Sequence, residues 1–94
     1  MNARPGRYDD IDTIRQKLWD LRDQLPHLVV YDHPDDQPDH YIARLWTTRP
    51  ELACHDFMFG FTDIDRLRQY MELLGLTHLA RSPADPPHIM ETWL

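Results

Sequence analysis

The chain has 94 residues, of which 41% are hydrophobic and 28% charged, and its formal net charge at pH 7 is −6. This length and composition exclude a disordered tail and predict one globular domain over residues 1–94 with a modest core. The acidic balance disfavours direct binding to a nucleic-acid backbone, and a single cysteine excludes an internal disulfide.

The cellular setting follows from similarly simple features. The first fifteen residues lack the apolar stretch of a signal peptide, and no apolar run is long enough to span a membrane. We therefore expect a cytoplasmic protein with no membrane partner. Nine arginines stand against one lysine, a bias that suggests a bacterial, phage or mobile-element origin.

The first predicted element is a helix over residues 10–24. Its apolar residues recur at helical spacing and form one stripe: Ile11, Ile14, Leu18, Leu21 and Leu25. Aspartates occupy the first turn, where free N–H groups and the helix dipole favour negative charge, and Pro26 ends the helix. Just before the helix, Tyr8 is expected to pack the N-terminal arm onto the domain.

A strand over residues 25–31 follows, and then comes the sequence DHPDDQPDH at residues 32–40, which we call the acidic loop. Prolines preset φ, and aspartates accept hydrogen bonds from nearby backbone N–H groups, so the loop predicts a solvent-exposed, hairpin-like connection. Its carboxylates are expected to serve solubility and the electrostatic steering of a partner: Asp32, Asp35, Asp36 and Asp39.

An alternative interpretation of the acidic loop is a metal site. His33 and His40 flank the loop, and two imidazoles with neighbouring carboxylates suit zinc or a similar ion. However, structural zinc sites are usually rich in thiolates, and histidine and aspartate are ordinary loop residues. We therefore expect a structural loop, with no metal and no cofactor.

The later predicted elements repeat the order of the earlier ones. Further strands are predicted at residues 41–46, 53–59, 76–80 and 89–94, and a second helix at residues 63–74. Thr62 and Asp65 resemble a capping box at the start of this helix, and Gly75 ends it.

An internal match indicates a duplicated helix–strand–strand unit. The sequences DIDTIRQ (10–16) and DIDRLRQ (63–69) are identical at five of seven positions, and each precedes a strand, a proline-rich loop and another strand. We therefore predict an α+β fold with repeat units at residues 10–46 and 62–94. It would be a two-layer sandwich with two helices on one face of a roughly five-stranded sheet.

Alternation along the strands predicts which side chains the helices leave uncovered. In strand 41–46, three apolar residues should face the helices: Tyr41, Ala43 and Leu45. Arg44 and Trp46 should then face outward, as should Asp56 and Glu91, because a carboxylate is expected to avoid the core. The predicted partner-binding surface is Ile42, Arg44, Trp46, Asp56, Met58, Ile89, Glu91 and Trp93.

Known catalytic motifs are absent from the sequence. Glycine occurs only at positions 6, 60 and 75, so no phosphate-binding loop is present, and Cys54 and His55 are adjacent in a strand and should point to opposite faces. We expect a non-enzymatic inhibitor, immunity factor or adaptor that occludes a protein partner, or a homodimer. The alternatives are a small enzyme or metal-binding protein that uses histidine and aspartate, and an acidic mimic of nucleic acid.

Overall fold

The structure, a computed structural model, describes residues 11–94 and confirms an α+β fold with two α-helices and a five-stranded antiparallel sheet. Its elements are α1 (Ile11–Asp20), β1 (Pro26–Asp32), β2 (Tyr41–Thr47), β3 (Ala53–Phe61), α2 (Ile64–Leu73), β4 (His78–Ala80) and β5 (Ile89–Trp93). A 3-10 turn, Arg22–Gln24, joins α1 to β1. No described helix is long and apolar enough to cross a membrane. Tyr8 lies outside the described residues, so its packing stays a prediction.

The sheet has the strand order β3-β2-β1-β5-β4, and every neighbouring pair is antiparallel. The acidic loop joins β1 to β2 as a hairpin, with Asp32 opposite Tyr41. A second proline-rich loop, residues 81–88, joins β4 to β5 at the same end of the sheet, where the N–H of Asp32 donates to the carbonyl of His88 at 2.9 Å. Each predicted repeat unit thus supplies a helix and a hairpin, while the duplication itself stays a prediction.

Local hydrogen bonds determine where α2 begins and ends. The cap residue of α2 is Asp63, which has an extended backbone, and not Thr62 as the predicted capping box requires. The Asp63 carboxylate accepts a hydrogen bond from the N–H of Asp65 at 2.9 Å. At the other end, Gly75 has a φ of +79°, which residues with a Cβ rarely adopt, and its N–H donates to the carbonyl of Glu72.

One hydrophobic cluster joins both helices to the sheet. Ile14 of α1 and Leu67 and Met71 of α2 are all fully buried in it. Residues from four strands complete this cluster: Leu28, Val30, Ala43, Leu45, Phe59, Phe61 and Trp93. Since full burial of one such side chain stabilises a fold by about 1.5–3 kcal/mol, the cluster is the main source of stability.

A buried carboxylate on β5 lies at this cluster. Glu91 is only 2% exposed. It accepts hydrogen bonds from Arg68 of α2, with Nη2 at 2.8 Å and Nε at 3.2 Å, and from the indole Nε1 of Trp93 at 2.8 Å. The Nε2 atom of His78 lies 3.3 Å away. The outward placement predicted for Glu91 and Trp93 is therefore wrong, because these donors compensate the carboxylate inside the fold.

An irregularity in β5 separates residues that the sequence pattern placed together. Val30 of β1 pairs with Glu91, but the next residue, Tyr31, pairs with Ile89, so Met90 is an extra residue in β5. Met90 packs against the hydrophobic cluster, whereas Ile89 lines a hollow beside Tyr31. Ile89 and Glu91 consequently lie on opposite faces despite being two residues apart.

The surroundings of Glu91 change its acidity. Burial by itself raises the pKa of Glu91, but hydrogen bonds from Arg68 and Trp93 and the positive charges of Arg68 and His78 outweigh that effect. The pKa of Glu91 therefore lies below its ordinary value. In return, the hydrogen bond to Glu91 raises the pKa of Arg68.

We expect the contribution of Glu91 to stability to disappear at acidic pH. Because its folded pKa lies below the ordinary value of 4.5, the stabilisation is fully present well above pH 4.5 and is lost as the pH falls through the folded pKa. Glu91→Gln should therefore lose less stability than the wild type below pH 4.5, as measured by urea unfolding at a series of pH values. The exposed carboxylate of Glu72 provides a control: if Glu72→Gln and Glu91→Gln change this pH dependence equally, the assignment to Glu91 is wrong.

Candidate functional site

Side chains that alternate with core residues on β1 and β2 line a groove in the sheet face opposite the hydrophobic cluster. At its centre, the indole Nε1 of Trp46 donates a hydrogen bond to the hydroxyl of Tyr31 at 3.3 Å. One part of the groove is a hollow of about 500 Å³, which we call the acidic hollow. It is lined by Tyr31, His33, Pro34, Asp35, Asp36, Arg44, Trp46, Cys54 and His88.

A second hollow, of about 250 Å³, shares the Tyr31–Trp46 pair, and we call it the apolar hollow. It is lined by His27, Val29, Tyr31, Trp46, Leu52, Asp85, Ile89 and Thr92. Leu52 is 64% exposed. Because the two hollows meet at Tyr31 and Trp46, they form one groove that crosses β3, β2, β1 and β5.

Comparison with known proteins identifies no relative. No family model matches the chain, and neither a curated protein nor a solved structure matches it. The function is therefore inferred from the residues of the groove alone.

The acidic loop forms one wall of the acidic hollow. A turn closed by the N–H of Gln37 and the carbonyl of Pro34 at 2.8 Å presents two aspartates to the hollow. Oδ2 of Asp36 lies 3.6 Å from Nη2 of Arg44, which makes a loose, partly exposed ion pair. Asp35 has no hydrogen-bond or ion-pair partner among the described residues. Within residues 11–94, no group compensates this carboxylate of the hollow.

The two histidines that flank the acidic loop have different surroundings. His33 has a left-handed φ of +49°, its Nδ1 lies 2.5 Å from Oδ1 of Asp32, and its ring contacts that of Tyr41. Nδ1 of His40 is buried without a hydrogen-bond partner in the described chain. Within residues 11–94, no group of three or more His, Cys, Asp or Glu side chains is arranged to hold a metal ion.

Cys54 adds an exposed thiol to the acidic hollow. Its Sγ lies 4.0 Å from Nη1 of Arg44 and donates to the carbonyl of His55 at 3.8 Å. Nε2 of His55 is hydrogen-bonded to the Thr47 hydroxyl instead. As far as the structure describes the chain, no imidazole is hydrogen-bonded to Cys54. Cys54 and His55 are thus not paired as nucleophile and base in the described chain.

The predicted partner-binding residues separate into three groups. Those that line the groove are Arg44, Trp46 and Ile89. Those that are buried and offer a partner no contact area are Ile42, Glu91 and Trp93. The remaining two, Asp56 and Met58, belong to β3 and do not line either hollow, although Asp56 is exposed. A partner-binding role stays a prediction for the residues that line the groove, and also for Asp56 and Met58.

Sequence reasoning missed two aromatic groups of the groove. Tyr31 follows the buried Val30 on β1 in the run LVVY. Because side chains alternate between the two faces of a strand, this run could have placed Tyr31 on the face opposite Val30. His88 stacks on Tyr31, with ring centroids 5.5 Å apart and an interplanar angle of 16°. The position of His88 depends on the pairing of β5 with β1, and no local pattern predicts that pairing.

Proposed function

We propose that this protein is an interaction module that binds a partner protein in the groove and acts by occluding it. The observation that carries this proposal is the hydrogen-bonded Tyr31–Trp46 pair, which lies beside Arg44 at the meeting point of the two hollows. Tryptophan, tyrosine and arginine are the residue types favoured at the centres of interfaces, where most binding energy resides. The hydrogen bond between the rings also limits their motion, which reduces the entropy lost on binding.

The edges of the sheet favour binding through its face. Cys54 of β3 pairs with Trp46 of β2, and Met58 pairs with Arg44. Between these two pairs, three residues of β3 lie opposite one residue of β2, Leu45, so β3 is bulged. The other edge strand, β4, has only three residues. Bulged and short edge strands hinder pairing with another chain, so strand addition is disfavoured. The groove is therefore the more suitable surface for a partner.

Charge favours a different protein over a second copy of this chain. The acidic loop borders the groove, and the whole chain carries a net charge of −6. Two copies that met through the groove would bring like charges together, which is unfavourable, whereas a positively charged partner would be attracted. We propose a heterologous partner, with a homodimer as the alternative.

Cys54 allows a direct test of the proposal, because it is the only cysteine and is exposed in the acidic hollow. A thiol-reactive photo-crosslinker attached to Cys54 should capture one partner protein in an extract of the native host, and mass spectrometry would identify it. Excess unlabelled wild type should suppress the capture, whereas excess Trp46→Ala should not.

The control moves the crosslinker away from the groove. In a Cys54→Ser, Leu73→Cys variant the label lies on α2, at a position where the native leucine is 66% exposed. This variant should not capture the same protein. Equal capture from both positions, or full competition by Trp46→Ala, would contradict the proposal. A crosslink between two copies of the chain would support the homodimer instead.

A further inference from the structure

We infer that the partner contributes an arginine side chain, which binds in the acidic hollow between Asp35 and the Tyr31–Trp46 pair. This inference rests on the proposed function and names the group that the partner presents. It follows from the charges of the hollow, from its aromatic lining and from the different chemistry of arginine and lysine.

The charges of the acidic hollow are unbalanced. Asp36 and Arg44 compensate each other in part, with 3.6 Å between Oδ2 and Nη2. Asp35 has neither a hydrogen bond nor an ion pair among the described residues, and it is exposed. Among the described residues, Arg44 is the only arginine or lysine in the lining, against two aspartates. A cation from the partner would therefore gain a charge-assisted hydrogen bond without displacing an existing one.

Aromatic rings that line the same hollow as Asp35 add a second attraction for a cation. The ring of Tyr31 is stacked on His88, and its hydroxyl holds the indole of Trp46. The faces of tryptophan and tyrosine attract cations. The molecule already contains such a contact, since the guanidinium of Arg22 lies 4.1 Å from the ring centre of Trp19.

A guanidinium suits these surroundings better than an ammonium group. Its planar fork forms two parallel hydrogen bonds to a carboxylate while its face stacks on a ring, whereas lysine is a strongly hydrated point charge. An acidic group of the partner is disfavoured, because Arg44 already faces Asp36 and the carboxylate of Asp35 would repel it.

Titration of the whole chain with the peptide acetyl-Gly-Arg-Gly-amide, followed by NMR, tests the inference. We expect saturable shifts in the indole N–H signal of Trp46 and in the amide signals of the acidic loop. The indole signal of Trp93 should not move, because that group is buried against Glu91. The same peptide with citrulline, an uncharged analogue of arginine, should bind at least about tenfold more weakly.

Two variants of the acidic loop separate a specific contact from a general charge effect. Asp35→Asn should weaken binding of the arginine peptide by about tenfold. Asp39→Asn makes the same charge change at an exposed residue outside the lining of the acidic hollow, and it should have little effect.

Three results would overturn the inference: no saturable shift at Trp46, equal weakening by Asp35→Asn and Asp39→Asn, or tighter binding of a glutamate peptide in the acidic hollow. None of them decides the proposed function, because crosslinking from Cys54 detects a bound protein whatever group that protein presents. Conversely, if the chain binds the arginine peptide but captures no partner, the proposed function is wrong while the arginine-binding site is supported.

Discussion

Replacing Arg68 with methionine should lower the free energy of unfolding by about 3 kcal/mol. Methionine keeps most of the aliphatic stem, so the change removes chiefly the guanidinium that faces Glu91. Glu91 is 2% exposed, and a buried carboxylate that loses its ion-pair partner typically costs about 3–5 kcal/mol. The lower end of that range applies because Trp93 and His78 still contact the carboxylate. Urea unfolding followed by circular dichroism measures the effect.

The control for this prediction is an arginine on the same helix. Arg66 is exposed, and Arg66→Met should change the stability by less than about 0.5 kcal/mol. Combining Arg68→Met with Glu91→Leu should recover most of the stability lost in the single Arg68 variant, since no unpaired charge then remains in the core. If the effects of the two substitutions simply add, Arg68 and Glu91 are not coupled and the prediction is wrong.

The helices and strands of this fold could be predicted because their signals are local. The apolar stripes of the two predicted helices contain Ile14, Leu67 and Met71, and the structure buries all three completely. Gly75 follows α2 with a left-handed φ, as predicted. The first helix is shorter than predicted: α1 ends at Asp20, and the 3-10 turn Arg22–Gln24 separates it from Pro26, which opens β1. The α+β class follows from these elements.

The direction of Glu91 could not be predicted, because it depends on distant parts of the chain. Its main partner, Arg68, lies 23 residues earlier on a helix. The extra residue Met90 appears only where β5 pairs with β1. The expectation that a carboxylate avoids the core fails where an arginine and an indole converge on it. Trp93 was misplaced by the same expectation.

The groove was only partly predictable because it depends on the order of the strands. A hairpin loop predicts that β1 pairs with β2, and this pairing places Tyr31 and Trp46 on one face, where their long side chains form a hydrogen bond. Ile89 and His88 join them because β5 lies on the other side of β1. A period of two assigns side chains to the two faces of one strand, but it contains no information about which strands become neighbours.

Once the partner is identified, Trp46→Ala should reduce its affinity for the chain by about 2 kcal/mol or more, which is roughly thirtyfold in the dissociation constant. Trp46 lies where the two hollows meet, so its truncation removes contact area from both of them. Arg44→Glu should also weaken binding, because it removes the contact area of the arginine and turns its ion pair with Asp36 into a repulsion that disturbs the wall of the acidic hollow. Isothermal titration calorimetry with the purified partner measures both effects.

A loss of affinity in Trp46→Ala has to be distinguished from a loss of stability, because the indole of Trp46 is half-buried and hydrogen-bonded to Tyr31. Tyr31→Phe removes only that hydrogen bond, so it should reduce affinity less than Trp46→Ala does. Trp19→Ala provides the matched control, since this tryptophan is 60% exposed on α1 and outside the groove. If circular dichroism shows that Trp46→Ala and Arg44→Glu are folded, and neither changes partner affinity or oligomeric state, the groove is not the binding surface.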